Sequence, residues 1–153
     1  MGAAQVLVTD IDDARLALAK RFGANHTLNV RGKSIAVLAA AIEKIMECQP
    51  EVSIECTGVP TSLETAIKAT QVGGVIMLVG ASSDRADLPV TEASTKELDL
   101  RGVLRYANCY PTALDMVAKG VVNLKGLTTA HYKLEDSLEA FKRAQKEMFS
   151  KFL

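Results

Sequence analysis

The sequence has no excess of charge of either sign, because 18 lysines and arginines are balanced by 18 acidic residues. Without a basic excess the chain has no broad positive surface to neutralise phosphates, so no nucleic-acid partner is expected. The sequence also lacks apolar runs longer than a strand, and its N-terminus is not basic and then apolar. We therefore expect neither a membrane partner nor a secretory signal.

Cysteine is scarce as well, since the chain has only Cys48, Cys56 and Cys109, which lie far apart. This odd number and wide spacing argue against a disulfide framework and against a CxxC zinc knuckle, and they fit a reduced, cytoplasmic setting. The two histidines, His26 and His131, are not at metal-ligand spacing. No Ser, Cys or His has the sequence context of a nucleophile elbow or a zinc-binding helix, so we assign no catalytic residue and no metal ligand to this chain.

What the chain does contain is a regular alternation of short apolar strands and helical patterns. Its 153 residues, 48% of them apolar, suffice for the core of one domain. The alternation predicts an α/β fold with a doubly wound parallel sheet. The predicted strands are Val6–Thr9, His26–Val30, Val52–Cys56 and Val75–Gly80, and the predicted helices between them are Asp13–Phe22, Ser34–Cys48 and Pro60–Ala69.

Local signals mark the ends of these helices. Asp12 and Ser34 are N-cap residues by type and position, and Gly23 suits a left-handed helix end. After Gly80 the alternation is looser. There we predict an extended stretch at Leu88–Val90, a short helix over Thr91–Glu97, a strand over Leu100–Leu104, and helices over Thr112–Lys119 and Glu135–Lys146.

Asp10 is the most informative single residue, because it ends the first strand and is followed at once by a capped helix. At that position in a nucleotide-binding sheet, a carboxylate accepts hydrogen bonds from both ribose hydroxyls, each worth about 1.5–3 kcal/mol. The same charge repels a 2′-phosphate, which favours NAD over NADP. The alternative is that Asp10 only turns the chain into the helix, and the sequence leaves both interpretations open.

The other candidate residues share a position at the end of a strand or one helical turn beyond it. Arg15 is either a contact to adenine or pyrophosphate or a solvated helix arginine, and Arg105 is either a contact to a polyol or a phosphate or an ordinary surface residue. Gly80 is small enough to let a cofactor approach the backbone closely. The candidates at the later strand ends are Val79, Gly80, Ala81, Val103, Leu104, Arg105 and Tyr106, with Thr57 and Gly58 as weaker candidates for an adenine pocket.

One expected motif is absent. A dinucleotide site needs a glycine-rich turn, GxGxxG, about 20 residues before the ribose-binding acid. Only nine residues precede Asp10 in this chain.

The order and spacing of several short motifs resemble the coenzyme domain of the zinc-dependent medium-chain dehydrogenases, and most closely the sorbitol (polyol) dehydrogenases among them. The resemblance runs from Gly2 to about Lys146. The matching stretches are Gly2–Asp10, Ala14–Leu16, Pro50–Gly58, Gly73-Gly74, Leu78–Gly80, Gly102–Tyr106 and Leu138–Phe141.

This resemblance implies that residues 1–153 are part of an NAD-binding, Rossmann-type domain. It implies that Asp10 and Arg15 hold the adenosine half of NAD, and that Arg105 and Tyr106 face a polyol substrate. Enzymes of this family oxidise a secondary alcohol of a sugar alcohol to the ketose with the help of a zinc ion, and we expect a homo-oligomer. The residues implied to line the nicotinamide end are Val79, Gly80, Ala81, Val103, Leu104 and Arg105.

The resemblance also implies what the chain lacks. The family's zinc ligands, proton relay and glycine-rich turn belong to sequence before Met1, so we expect the catalytic zinc domain outside this chain and an inactive chain by itself. The family's first strand is central in the sheet. We therefore expect Val6–Thr9 and Val52–Cys56 to flank a gap.

Two other functions stay open at this point. The first is an S-adenosylmethionine-dependent methyltransferase, whose fold also ends the second strand on an acidic, ribose-binding residue. The second is a catalytically inert binding or assembly module.

Overall fold

A computed structural model describes residues 2–80, 85–127 and 130–149, with the side chains of residues 146–149 left undescribed. The chain falls into two compact units, Met1–Ala107 and Asn108–Leu153. In the described part of the chain, no helix is both long enough and apolar enough to cross a membrane.

Within the described residues, the first unit has five strands and four helices, and the second has two helices and a short 3-10 turn. In the first unit they are β1 (Leu7–Asp10), α1 (Asp13–Arg21), β2 (His26–Asn29), α2 (Ile35–Met46), β3 (Val52–Glu55), α3 (Pro60–Ala69), β4 (Val75–Leu78), α4 (Val90–Thr95) and β5 (Asp99–Gly102). In the second they are α5 (Tyr110–Ala118), the 3-10 turn Leu134–Asp136 and α6 (Ser137–Phe149).

The strands form two parallel sheets with a break at the predicted place. Strand β1 pairs with β2, and β3, β4 and β5 pair in that order, so β1 and β3 are both edge strands. On β3, the side chains of Val52 and Ile54 are 54% and 64% exposed. The expectation of a gap between these two strands, with apolar side chains left exposed beside it, is confirmed.

The predicted helix ends are confirmed where a local signal sets them. The Asp12 side chain caps α1 by accepting hydrogen bonds from the Ala14 and Arg15 amides at 2.8 and 3.1 Å. Ser34 caps α2 through the Val37 amide at 3.5 Å. Gly23 follows α1 with φ = +101°, a left-handed conformation that glycine adopts at little cost.

Helix α3 links two small hydrophobic cores. Ala69 packs with Ile42 and Met46 of α2 beneath the first sheet. Ile67, two residues earlier, is fully buried with Ile76 of β4. Because both clusters share α3, and α2 packs against α3, the two half-sheets are held together by helices rather than by strand pairing.

Some predicted boundaries differ from the structure for identifiable reasons. The extended stretch at Leu88–Val90 is wrong at its last residue, because Pro89 begins the first turn of α4 and its carbonyl accepts a hydrogen bond from the Ala93 amide at 3.1 Å. The strand predicted over Leu100–Leu104 starts and ends earlier, as β5. Its last ladder bond, from the Val103 amide to the Leu78 oxygen at 3.0 Å, coincides with the end of β4.

Candidate functional site

Asp10 ends β1, and its carboxylate is held by the first turn of α1. Arg15 binds it in a bidentate manner, with Nε 2.8 Å from Oδ2 and Nη2 2.5 Å from Oδ1. The Asp12 amide also donates to Oδ1, at 2.9 Å. This arrangement follows from a strand that runs directly into a helix, because the turn brings a residue five positions later back over the strand end.

The ion pair keeps both groups charged. The hydrogen bond from Arg15 outweighs partial burial and lowers the pKa of Asp10 below its usual value. The same hydrogen bond to Asp10 raises the pKa of Arg15 further. Asp10 is therefore a carboxylate acceptor at any pH near neutrality.

The number of hydrogen bonds to Asp10 limits what it can bind without rearrangement. A carboxylate offers about four acceptor positions, and three donors already occupy it. A ribose diol needs two of these positions, so at least one of the three bonds must be released when a ribose binds. Because the Arg15 and Asp10 side chains are 38% and 27% exposed, a ligand can reach them.

The geometry of Asp10 bears on both interpretations that the sequence left open. One interpretation is that Asp10 turns the chain into the helix, and its hydrogen bond from the Asp12 amide stabilises that turn. Arg15 is not simply a solvated helix arginine, since it is paired with Asp10. Its predicted contact to adenine or pyrophosphate stays a prediction.

A second carboxylate, Glu55, ends β3 and was not singled out from the sequence. It is 5% exposed, and its side chain accepts hydrogen bonds from the backbone amides of Thr57 and Gly58, both at 2.8 Å, and from the Thr57 hydroxyl. The signal that could have found it is the alternation Val52-Ser53-Ile54-Glu55, which places Glu55 on the same face as Ser53. Ser53 Oγ lies 2.7 Å from Thr70 Oγ1 at the end of α3, so this face points towards the helix.

Gly80 lies directly against the turn that Glu55 holds. A Cβ atom at Gly80 would lie 2.0 Å from the Gly58 nitrogen and 2.6 Å from Glu55 Oε2. Its φ is not in the left-handed region, so glycine is required here by lack of space. The structure thus brings Gly80 together with Thr57 and Gly58, the weaker candidates from the sequence.

The remaining predicted residues follow β4 and β5. Val79 donates its amide to the Glu55 carbonyl at 2.9 Å, and Val103 donates to the Leu78 carbonyl at 3.0 Å. Leu104 and Tyr106 are exposed, and Arg105 has φ = +52°, a left-handed turn of the backbone. Ala81 lies outside the described residues.

Comparison with known proteins identifies the family. A sequence model of the family described as "Zinc-binding dehydrogenase" matches residues 1–119. The chain belongs to the zinc-binding dehydrogenase family. The sorbitol dehydrogenase of Ovis aries is 44% identical over 146 residues, which cover 95% of this chain and 41% of that protein. The chain thus spans about two fifths of the length of the curated relatives that it matches.

Solved structures of two dehydrogenases share the fold. L-idonate 5-dehydrogenase from Escherichia coli K-12 superposes with a TM-score of 0.83 at 30% identity, over 95% of this chain and 41% of that one. A short chain alcohol dehydrogenase from E. coli CFT073, complexed with NADH, superposes with a TM-score of 0.83 at 23% identity, over 94% of this chain and 41% of that one. The predicted Rossmann-type fold is confirmed, and the methyltransferase alternative receives no support from these comparisons.

The described residues of this chain do not form a zinc site by themselves. Among the residues that the structure describes, no three His, Cys, Asp or Glu side chains are grouped closely enough to hold a metal ion. The three cysteines are free and exposed.

Proposed function

We propose that this chain is the coenzyme-binding part of an NAD-dependent, zinc-containing polyol dehydrogenase, which oxidises a secondary alcohol to a ketose. The chain alone is inactive in this proposal, because the zinc-holding domain lies outside it. We place the enzyme in the cytoplasm as a homo-oligomer. The observation that carries the proposal is the ionised Asp10 at the end of β1, in a chain 44% identical to a sorbitol dehydrogenase.

In this proposal the chain's own residues bind and orient the cofactor. Asp10 accepts hydrogen bonds from the adenosine ribose, and Arg15, released in part, faces the adenine or a phosphate. Arg105 and Tyr106 face the polyol. Bound NAD supplies the hydride acceptor. The nicotinamide half lies against Val79, Gly80, Ala81, Val103, Leu104 and Arg105.

The charge of Asp10 supports NAD rather than NADP as the cofactor. A 2′-phosphate would place about two negative charges beside an ionised carboxylate. Arg15 does not offset this repulsion fully, because its guanidinium is already paired with Asp10. A structural neighbour that holds NADH supports only the general point that this fold accommodates a nicotinamide dinucleotide.

Titration calorimetry of the chain with NADH, NADPH and S-adenosylmethionine tests the proposal. We expect weak but saturable binding of NADH, carried by the adenosine contacts because this sequence lacks the glycine-rich turn, and still weaker binding of NADPH. Asp10→Asn should weaken NADH binding about tenfold or more, because one charge-assisted hydrogen bond is lost, and should narrow the preference over NADPH. Asp13→Asn, three residues away, is the matched control and should leave both affinities unchanged.

Three results would contradict the proposal. They are equal affinity for NADH and NADPH, binding of S-adenosylmethionine alone, or binding of none of the three ligands. The last result would leave the inert binding or assembly module.

The broken sheet is the observation that favours this second candidate function. Edge strands β1 and β3 offer backbone groups to another polypeptide strand, and Val52 and Ile54 expose apolar side chains beside them. An assembly module predicts concentration-dependent self-association in light scattering. A monomer that melts cooperatively, with β1 and β3 amides as protected from hydrogen exchange as those of β4, would contradict it.

A further inference from the structure

The carbonyl oxygen of Glu55 ties the end of β3 to the end of β4. It accepts hydrogen bonds from both the Val79 and the Gly80 amides, each at 2.9 Å. In the register of the sheet, Glu55 lies opposite Leu78, the last residue of β4. The Val79 bond is the last one of the ladder, and the second bond to the same oxygen holds Gly80 next to Glu55 as well.

The side chain of Glu55 holds the other side of the same junction. Its two oxygens accept from Thr57 and Gly58, which form the turn between β3 and α3. Burial by itself raises the pKa of Glu55, but hydrogen bonds from Thr57, Gly58 and Ser62 outweigh it and keep the pKa below its usual value. The buried side chain is thus a carboxylate whose charge is stabilised by amide and hydroxyl donors.

The turn and the end of β4 are in direct contact at Gly80. Since a Cβ there would meet the Gly58 nitrogen at 2.0 Å, the two backbones approach as closely as glycine allows. A shift of the Thr57–Gly58 turn towards β4 must therefore move Gly80 as well. Glu55 holds both partners of this contact, one through its carbonyl and one through its carboxylate.

We propose that Glu55 is a positioning residue, which sets where Val79 and Gly80 present their backbone to the nicotinamide half of the cofactor. This inference rests on the proposed function, because it assigns Glu55 to the nicotinamide end of that same site. Glu55 acts through the turn and through Gly80. In this inference the adenosine half is held by Asp10, which lies on the other sheet, and by Arg15 of α1. Thr57 and Gly58 then serve to place Gly80 and do not line an adenine pocket.

The test compares two ligands that differ only by the nicotinamide. ADP-ribose carries the adenosine and pyrophosphate parts, and NADH carries the nicotinamide as well. In Glu55→Gln, one carboxylate oxygen becomes an NH₂ group that cannot accept from Thr57 or Gly58. We expect the dissociation constant of ADP-ribose to stay within about twofold and that of NADH to rise about tenfold, towards the ADP-ribose value.

Two further variants separate positioning from general damage to the fold. Glu51→Gln removes an exposed carboxylate just before β3 and should change neither affinity. Thr57→Val removes the hydroxyl that donates to Glu55 and accepts from the Val59 amide at 3.0 Å, but it keeps the Thr57 backbone amide. It should weaken NADH binding in the same selective way, by a smaller factor. If circular dichroism shows that Glu55→Gln does not fold, the Thr57→Val result decides.

The outcomes distinguish the inference from the function on which it rests. A purely structural role would weaken ADP-ribose and NADH by the same factor. That result, or no change in either ligand, overturns the positioning role while the proposed function stands. If the unaltered chain binds neither ligand, the proposed function fails and the positioning role fails with it.

Discussion

The two carboxylates at the strand ends, Asp10 and Glu55, are held by different kinds of hydrogen-bond donor. Each ends a strand that turns into a helix, and each is ionised. Asp10 is held mainly by the long side chain of Arg15 at a partly exposed site, whereas Glu55 is buried and held by backbone amides. A side-chain partner can be exchanged for a ligand, but a backbone turn cannot. Asp10 is therefore suited to binding and Glu55 to holding the backbone in place.

Among substitutions around Glu55, we expect the largest loss of stability at Gly80. Gly80→Ala should reduce the free energy of unfolding by about 3 kcal/mol or more, because its Cβ would overlap the backbone of Gly58. Urea denaturation measures the change. Gly102→Ala in β5 is the matched control, since a Cβ there meets nothing within 4 Å. Equal stability of the two variants would show that the ends of β3 and β4 are not tightly joined.

Loss of the charge on Glu55 should have the next largest effect. Glu55→Gln leaves the partly buried amide of Thr57 or Gly58 without its acceptor, which costs about 1–3 kcal/mol in the free energy of unfolding. Glu51→Gln should change it by less than about 0.5 kcal/mol, as is usual for an exposed substitution. Chemical denaturation of both variants measures the difference. A Glu55→Gln chain as stable as the original would count against a tightly held carboxylate.

The contribution of Asp10 to the free energy of unfolding should fall in acid and at high salt. Because the pKa of Asp10 is lowered in the folded chain, its contribution to stability is complete above its usual pKa. That contribution is lost as the pH falls below about 4, through the lowered folded value. Near neutral pH, the free energy of unfolding of Asp10→Asn should therefore be lower than that of the original chain by at most about 1 kcal/mol. In acid the two values should converge. Thermal melting at several pH values measures the difference.

High salt should affect the Asp10 variant and the Glu55 variant differently. About 1 M NaCl should reduce the difference between Asp10→Asn and the original chain, because the Arg15–Asp10 pair is partly exposed and is screened. The effect of Glu55→Gln should not change with salt. If salt changed the stability losses of Asp10→Asn and Glu55→Gln equally, the distinction between a screened side-chain pair and a carboxylate held by backbone amides would be wrong.

The smallest effect is expected on the exposed face of β3. Ile54→Thr should change the free energy of unfolding by less than about 0.5 kcal/mol, because this side chain is 64% exposed. By contrast, Ile67→Ala in α3 should cost about 2–5 kcal/mol, because Ile67 is fully buried. Thermal or urea denaturation checks both. A large loss for Ile54→Thr would mean that another molecule covers this face in solution.

The local features of the fold could be predicted because neighbouring residues decide them. Asp12 and Ser34 cap helices through amides two or three residues away, and Pro60–Ala69 is predicted at the bounds that the structure shows. The position of Asp10 at a strand end follows from the same local pattern. These interactions need no information from distant parts of the chain.

The role of Glu55 could not be predicted in this way. Its burial depends on α3 packing over one face of β3, and its contact with Gly80 joins residues 25 positions apart in the sequence. From the sequence, Glu55 was simply a residue of a strand-like stretch. The pairing of Arg15 with Asp10 was also missed, although these two residues lie close in sequence, because the rotamer of a long side chain depends on which partner is in reach.

By itself, the sequence determined the order of strands and helices, the helix caps and the carboxylate at the end of β1, since residues within about one turn decide each of these. The resemblance of its motifs pointed to the dehydrogenase family. Only the tertiary structure decided that the strands form two sheets held together by α2 and α3, and that Asp10 is paired with Arg15 while Glu55 is buried against Gly80. The physical reason is that burial and close backbone contact are properties of packed elements, and no single segment carries them.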